Sequence, residues 1–263
     1  MSRILFVAQD TSAIGKSTVT RALAECVPDV PVYEIESSRH LVELGERVRH
    51  FQIRTERKRL DETGGEAAIA EYDPALNKLL TEPLPAIVDI GANGGVAFLE
   101  ALGQMAGAFT RRGKALGLVV VVAHKDEAYA TARAVVAAGK GWIKDRFLVV
   151  NHVHGEPEAG EIKDLTKSAG AVTSLAKFTF ATRALPITRP LGLALIPQLD
   201  EEALAKQLAL PGAEPDVAMA LRTRAQLDAF RLAAMRAVEP AARWLIEAKT
   251  EAKTEAKSDA KSA

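Results

Sequence analysis

Residues 4–18 read Ile4-Leu5-Phe6-Val7-Ala8-Gln9-Asp10-Thr11-Ser12-Ala13-Ile14-Gly15-Lys16-Ser17-Thr18. The first five are apolar and mostly branched or bulky, the composition of a strand buried on both faces. Gln9 to Lys16 is a loop of polar and small residues. From Ser17 to Val27 the pattern becomes helical, with Val19, Leu23 and Val27 on one face. A strand, a short loop and Gly-Lys-Ser opening a helix form the context of a phosphate-binding loop. There the loop amides and first-turn N–H groups face the phosphates, and the helix N-terminus adds a partial positive charge. Lys16 is expected to reach the β- and γ-phosphates of ATP, and the Ser17 hydroxyl to hold Mg²⁺. Gly15 lets the backbone approach a phosphate with no Cβ in the way. The candidate nucleotide-binding residues are therefore Asp10, Thr11, Ser12, Ala13, Ile14, Gly15, Lys16, Ser17 and Thr18. The motif departs from the usual pattern at Asp10, where a glycine normally stands six residues before the lysine.

Further apolar runs of strand length follow at 30–35, 86–90, 118–123, 147–151 and 193–196, the last stopped by Pro197. Stretches long enough for helices separate them, notably 96–112 and 128–138. Strands that are apolar throughout and alternate with helices predict an α/β fold: a doubly wound, mostly parallel sheet with helices on both faces. Its crossovers should be right-handed. A helical segment rich in Ala, Arg and Leu follows from Pro215, with a break or kink expected at Pro240. Residues 247–263 repeat Glu-Ala-Lys-Thr every four positions, which places like charges at i,i+4 and leaves no apolar face. A disordered, solubilising tail is expected there. The organisation read from sequence is a nucleotide-binding domain over 1–212, a helical segment over 213–246 packed on it, and the tail.

The 263-residue chain carries 34 basic and 34 acidic residues, so its formal net charge is zero. That balance argues against a strongly basic nucleic-acid binder. The tail holds equal numbers of acids and lysines, so the balance survives its removal. Cys26 is the single cysteine, which excludes an internal disulfide and a multi-cysteine zinc site. No apolar run approaches the roughly 18 residues needed to span a bilayer, so a cytoplasmic protein without stable membrane insertion is expected.

With these segments placed, residues 3–200 resemble the MinD/ParA-type P-loop ATPases, and within them the TraL-type conjugal-transfer ATPases of plasmids. The resemblance rests on the phosphate loop and on four further segments. Tyr33-Glu34-Ile35-Glu36 corresponds to the family's Asp-x-Asp, which implies that Glu36 orients the attacking water. Ile87-Val88-Asp89-Ile90-Gly91-Ala92 is similar to the Walker B strand, which implies that Asp89 binds Mg²⁺. Val149-Val150-Asn151 implies Asn151 against the adenine, and Leu195-Ile196-Pro197 implies Pro197 at the edge of the base pocket. The family's additional lysine, five residues before the Walker lysine, is Thr11 here, and the glycine pair that follows is Ser12-Ala13. The resemblance implies a slow, nucleotide-switched ATPase using ATP and Mg²⁺ in plasmid transfer, partition or positioning. It also implies a nucleotide-dependent homodimer and a protein partner from such a system. A small-molecule kinase and a non-hydrolysing nucleotide-binding scaffold stay open as alternatives.

Three other features complete the reading. Arg47, Arg49, Arg54, Arg57, Lys58 and Arg59 crowd residues 47–59 against one acid, Glu56. They read as a solvated helix face, with non-specific DNA contact as the functional alternative. His152 and His154 are two histidines without an evident third metal ligand, and read as loop residues. Ala123-His124-Lys125-Asp126 lacks the asparagine of a guanine-reading motif, which argues against GTP.

Overall fold

The computed structural model describes residues 1–53, 66–188 and 191–262. Among them seven strands form one sheet: β1 (Ser2–Ala8), β2 (Val32–Glu36), β3 (Val48–Gln52), β4 (Ala86–Ile90), β5 (Lys114–Ala123), β6 (Asp145–Asn151) and β7 (Ala171–Leu175). The order is β3-β2-β4-β1-β5-β6-β7, and every pairing is parallel. The helices are α1 (Lys16–Cys26), α2 (Glu66–Thr81), α3 (Gly95–Arg111), α4 (Asp126–Ala138), α5 (Ala159–Ser168), the four-residue α6 (Leu185–Thr188), α7 (Glu201–Leu208) and α8 (Val217–Ser262). This is the expected doubly wound α/β architecture.

The alternation of side chains along the strands divides the core in two. Ile4, Phe6 and Ala8 of β1, with Tyr33, Val88 and Val120, face α2, α3, α4 and α5. Leu5 and Val7, with Val32, Ile87 and Val119, face α1 and α8. Because β1 is central, the chain leaves it toward β2 on one side and returns past it from β4 to β5. The carboxyl ends of β1 and its neighbours thus form the crevice in which open α/β sheets bind ligands.

Four local expectations change. Residues 48–52, read as a helix face, are the edge strand β3. Residues 193–196, read as a strand, belong to a 3₁₀ turn over Leu193–Gln198. There Leu193 and Ile196 are buried three residues apart while Leu195 is exposed, a spacing that suits a turn rather than a strand. Pro240 lies inside α8 and does not end it. Ala237, Val238, Ala241 and Ala242 pack around it against the sheet, which holds the helix through the missing N–H. Finally, α8 continues to Ser262 where a disordered tail was expected. Ala, Glu and Lys are good helix formers, and propagation from an already packed helix carries no nucleation cost. The like-charge pairs oppose this by only about 0.2–0.5 kcal/mol each.

Candidate functional site

The loop between β1 and α1 lies at the crevice. Gly15, immediately before α1, has φ +92°, in the left-handed region that favours glycine, and a Cβ there would collide with Asn151 Nδ2. Residues 11–18 line a cavity of about 360 Å³ together with Glu36, His40 and Ala92. The structure therefore gathers Thr11, Ser12, Ala13, Ile14, Gly15, Lys16, Ser17, Thr18 and Glu36 around one space.

Asp10 does not belong to that group. Its Oδ1 accepts a hydrogen bond from the Gly95 N–H (2.5 Å) and its Oδ2 from Val96 N–H (3.3 Å). The carboxylate thus caps the start of α3, where two backbone donors have no helical partner. A negative charge next to the phosphate loop is kept out of the loop in this way.

Thr11 also turns inward. It is 5% exposed, and its hydroxyl lies 2.8 Å from Thr131 Oγ1 on α4. The Thr131 hydroxyl already donates to the Glu127 carbonyl (2.8 Å), so Thr11 is the donor between them. Buried Gln9 ties the same stretch down. Its Nε2 donates to the Val121 and Ala128 carbonyls (both 3.0 Å), and its Oε1 accepts from the Asp10 and Thr11 amides.

Lys16 Nζ donates to Asp89 Oδ1 at 2.7 Å, and the Thr20 hydroxyl donates to the same oxygen at 3.0 Å. Asp89 sits one residue before the end of β4, in register with Val7 of β1. The two residues expected to hold phosphate and Mg²⁺ are therefore already in contact, and both are largely buried. Glu36 ends β2 on the opposite wall, its Oε1 accepting from the Ser37 amide at 3.1 Å. Gly91 makes room for it, since a Cβ there would collide with the Glu36 carboxylate.

Asn151 is placed behind the loop. Its Nδ2 donates to the Ile14 carbonyl (2.8 Å) and its Oδ1 accepts from the Val153 amide (3.1 Å). With the side chain 5% exposed and both ends of its amide engaged, its work here is to hold the loop. Pro197 lies in the 3₁₀ turn against α1 and α8, outside the lining of the loop cavity, and its carbonyl accepts from Arg224 (3.4 Å).

Sequence reasoning missed several contributors. His154 Nε2 donates to the Ala13 carbonyl at 3.1 Å, fastening the loop from outside. His40 lines the cavity, and Thr20 and Thr131 share the contacts above. A second cavity of about 230 Å³ adjoins the first. Glu36 and Ala92 line both, and Ser37, Tyr72 and Asn93 line the second. Burial, followed by the Asp10 and Glu71 carboxylates, pushes the Tyr72 hydroxyl up to about 12. Of the basic segment, Arg47 donates to the carbonyls of Ala24, Val27 and Val30 at the end of α1, and Arg49 pairs with buried Glu82. Both serve the fold. Arg54, Arg57, Lys58 and Arg59 lie outside the described residues. Among the described residues no group of three or more His, Cys, Asp or Glu side chains could hold a metal, and no helix is long and apolar enough to cross a membrane.

Comparison with family models and with curated proteins finds no match. Solved structures with a similar course of chain include a ParA family ATPase from Chlorobium tepidum, with 12% identity, 84% of this chain and 99% of that chain covered, and a TM-score of 0.43. The MinD cell division protein of Aquifex aeolicus shares 14% identity over 84% of this chain and 96% of its own, with a TM-score of 0.41. The signal recognition particle receptor FtsY of Elizabethkingia anophelis, solved with GDP, shares 14% over 65% and 56%, with a TM-score of 0.39. Likenesses this distant carry no argument about chemistry. The sheet topology and the loop geometry stand on their own.

Proposed function

We propose that this protein is a P-loop ATPase of the MinD/ParA kind, slow in turnover and switched by its nucleotide. The observation that carries the reading is the Lys16–Asp89 contact across a loop whose glycine adopts φ +92° at a helix start. A cation and a carboxylate so placed suit the two demands of a nucleoside triphosphate: Lys16 moves onto the β- and γ-phosphates, and Asp89 is freed for the metal. Ser17, in the first turn of α1, and Asp89 are the residues that would hold Mg²⁺, an oxygen-ligand ion that neutralises phosphate charge. Glu36, across the cavity, orients the attacking water and accepts its proton.

A nucleotide-dependent homodimer and a partner from a plasmid transfer or partition system are proposed on the sequence resemblance. Thr11 is committed to Thr131, so each phosphate site of such a dimer is built without a lysine from its partner at that position. The second cavity beside Glu36 favours one further reading, a kinase in which Glu36 takes the proton from an acceptor hydroxyl.

Titration with a fluorescent ATP analogue tests the reading. Lys16→Ala should weaken binding by roughly 100-fold, equivalent to about 3 kcal/mol for a lost charged hydrogen bond. Label from γ-labelled ATP should appear in inorganic phosphate, and size-exclusion chromatography should show a dimer with ATP and Mg²⁺ but not ADP. Equal affinity in Lys16→Ala sinks the nucleotide assignment. Label recovered in a small molecule selects the kinase, and tight binding without turnover selects the scaffold.

A further inference from the structure

A third cavity, of about 370 Å³, lies between β2, the start of β3 and the turn at 42–47. Glu34 lines it and is 1% exposed. One carboxylate oxygen, Oε1, accepts from the His40 amide (2.6 Å) and the Leu41 amide (3.0 Å). The other, Oε2, is buried with no partner. Its neighbours across the sheet do not relieve it. Asp89, in register on β4, is a second acid whose Oδ1 already serves Lys16 and Thr20. His50, in register on β3, has its own Nε2 buried without a partner. A buried carboxylate with an idle oxygen is costly, and a donor of opposite charge is what relieves it. The remaining walls are Leu41, Val42 and Val48, which suit methylene groups, with Arg39 and Glu46 exposed at the rim.

We propose that this cavity is a binding site for a short aliphatic guanidine or amine. The cationic head pairs with the Glu34 carboxylate, and the aliphatic chain lies along Leu41, Val42 and Val48. The site stands independently of the ATPase reading. His40, which Glu34 holds, and Glu36, two residues further along β2, both line the phosphate-loop cavity, so the ligand would sit at the root of the segment joining the two spaces.

Isothermal titration calorimetry of the full chain at constant ionic strength tests this, with butylguanidinium chloride against its near-isosteric neutral analogue butylurea. One butylguanidinium should bind per chain, with butylurea at least tenfold weaker. Glu34→Gln keeps an oxygen for the His40 and Leu41 amides and removes the charge; it should cut butylguanidinium affinity at least tenfold. Val42→Trp, at the 68% exposed lip, should do the same without touching the buried carboxylate, and serves if Glu34→Gln does not fold. Val42→Trp should bind a fluorescent ATP analogue as the wild type does, which separates this site from the nucleotide assignment. Equal affinity for the two probes, or undiminished binding in both cavity variants, overturns the proposal. Binding that emerges only in Arg39→Ala also overturns it, because Arg39 is then the occupant.

Discussion

Asp10 stands where a phosphate loop usually has glycine, and its carboxylate does helix-capping work for α3 instead. Asp10→Ala should therefore lower stability by about 1 kcal/mol in urea unfolding, the usual cost of a lost N-cap. Affinity for a fluorescent ATP analogue should not change. Glu82 is a second residue whose charge is set by its neighbours. Burial opposes its ionisation, but hydrogen bonds from the Tyr33 hydroxyl and the Leu84 amide, with the Arg49 guanidinium, outweigh that and hold its carboxyl below the usual range. Tyr33 is in turn pushed above its ordinary range, by burial first and then by Glu82, so its hydroxyl stays a donor. A carboxylate with a depressed folded pKa adds stability above its unfolded pKa, about 4.3, and loses it as pH falls through the lower folded value. Wild type should lose more stability than Glu82→Gln between pH 5 and pH 3. At pH 7 the variant should be weaker by about 1–3 kcal/mol, since buried donors then face a poorer acceptor. Urea unfolding at each pH reads both effects.

Elements that stand out in the sequence are those whose residues all meet the core. β1, β5 and β6 carry apolar runs after their first residues, and β4 one broken by Asp89, because both faces are covered. β3 and β7 close the sheet at its edges, where one side meets solvent. Val-Arg-His-Phe-Gln accordingly reads as part of a charged stretch, and Ala-Val-Thr-Ser-Leu has too little apolar character to stand out as a strand. The phosphate loop was legible because its chemistry is local: one glycine, one lysine and one serine at a helix start. What supports it was not, because Asp10 to Gly95, Thr11 to Thr131, Ile14 to Asn151 and Ala13 to His154 join residues 85 to 141 positions apart. The C-terminal helix shows the same division. Leu227, Ala234, Val238 and Leu245 are buried against the sheet. Trp244 lies over Gly117 of β5, whose missing side chain makes the room, and near Phe147 of β6. Among the described side chains, those of α8 that pack on the sheet run as far as Leu245. A chain truncated after Glu247 should melt within the error of the full chain while losing far-UV helical signal. A chain truncated after Pro215 should show no cooperative transition, because the α1-side core is then open.

At the scale of the whole molecule, the central strand comes from the N-terminus and the helix that covers it comes from the C-terminus. The phosphate loop leaves that central strand, and Gln9, Thr11 and Asn151 tie it to β5, α4 and β6. A ligand that grips the loop therefore stabilises the folded molecule as a unit, and global unfolding reports the binding. ATP with Mg²⁺ at 100 times its dissociation constant should add about 2.7 kcal/mol. For a chain of 263 residues that corresponds to a rise in Tm of roughly 5–10 °C, and Lys16→Ala should lose most of it. The part proposed for the metal turns on Asp89. Without nucleotide its charge is met by Lys16 and Thr20. On the proposed reading ATP would draw Lys16 toward the phosphates and leave a carboxylate 3% exposed beside added negative charge, a loss that a bound cation would make good. The shift with ATP and a chelator should therefore be well under half of that with ATP and Mg²⁺. Equal shifts in the two conditions would remove Asp89 from the metal site and leave the Lys16–Asp89 contact as a structural ion pair.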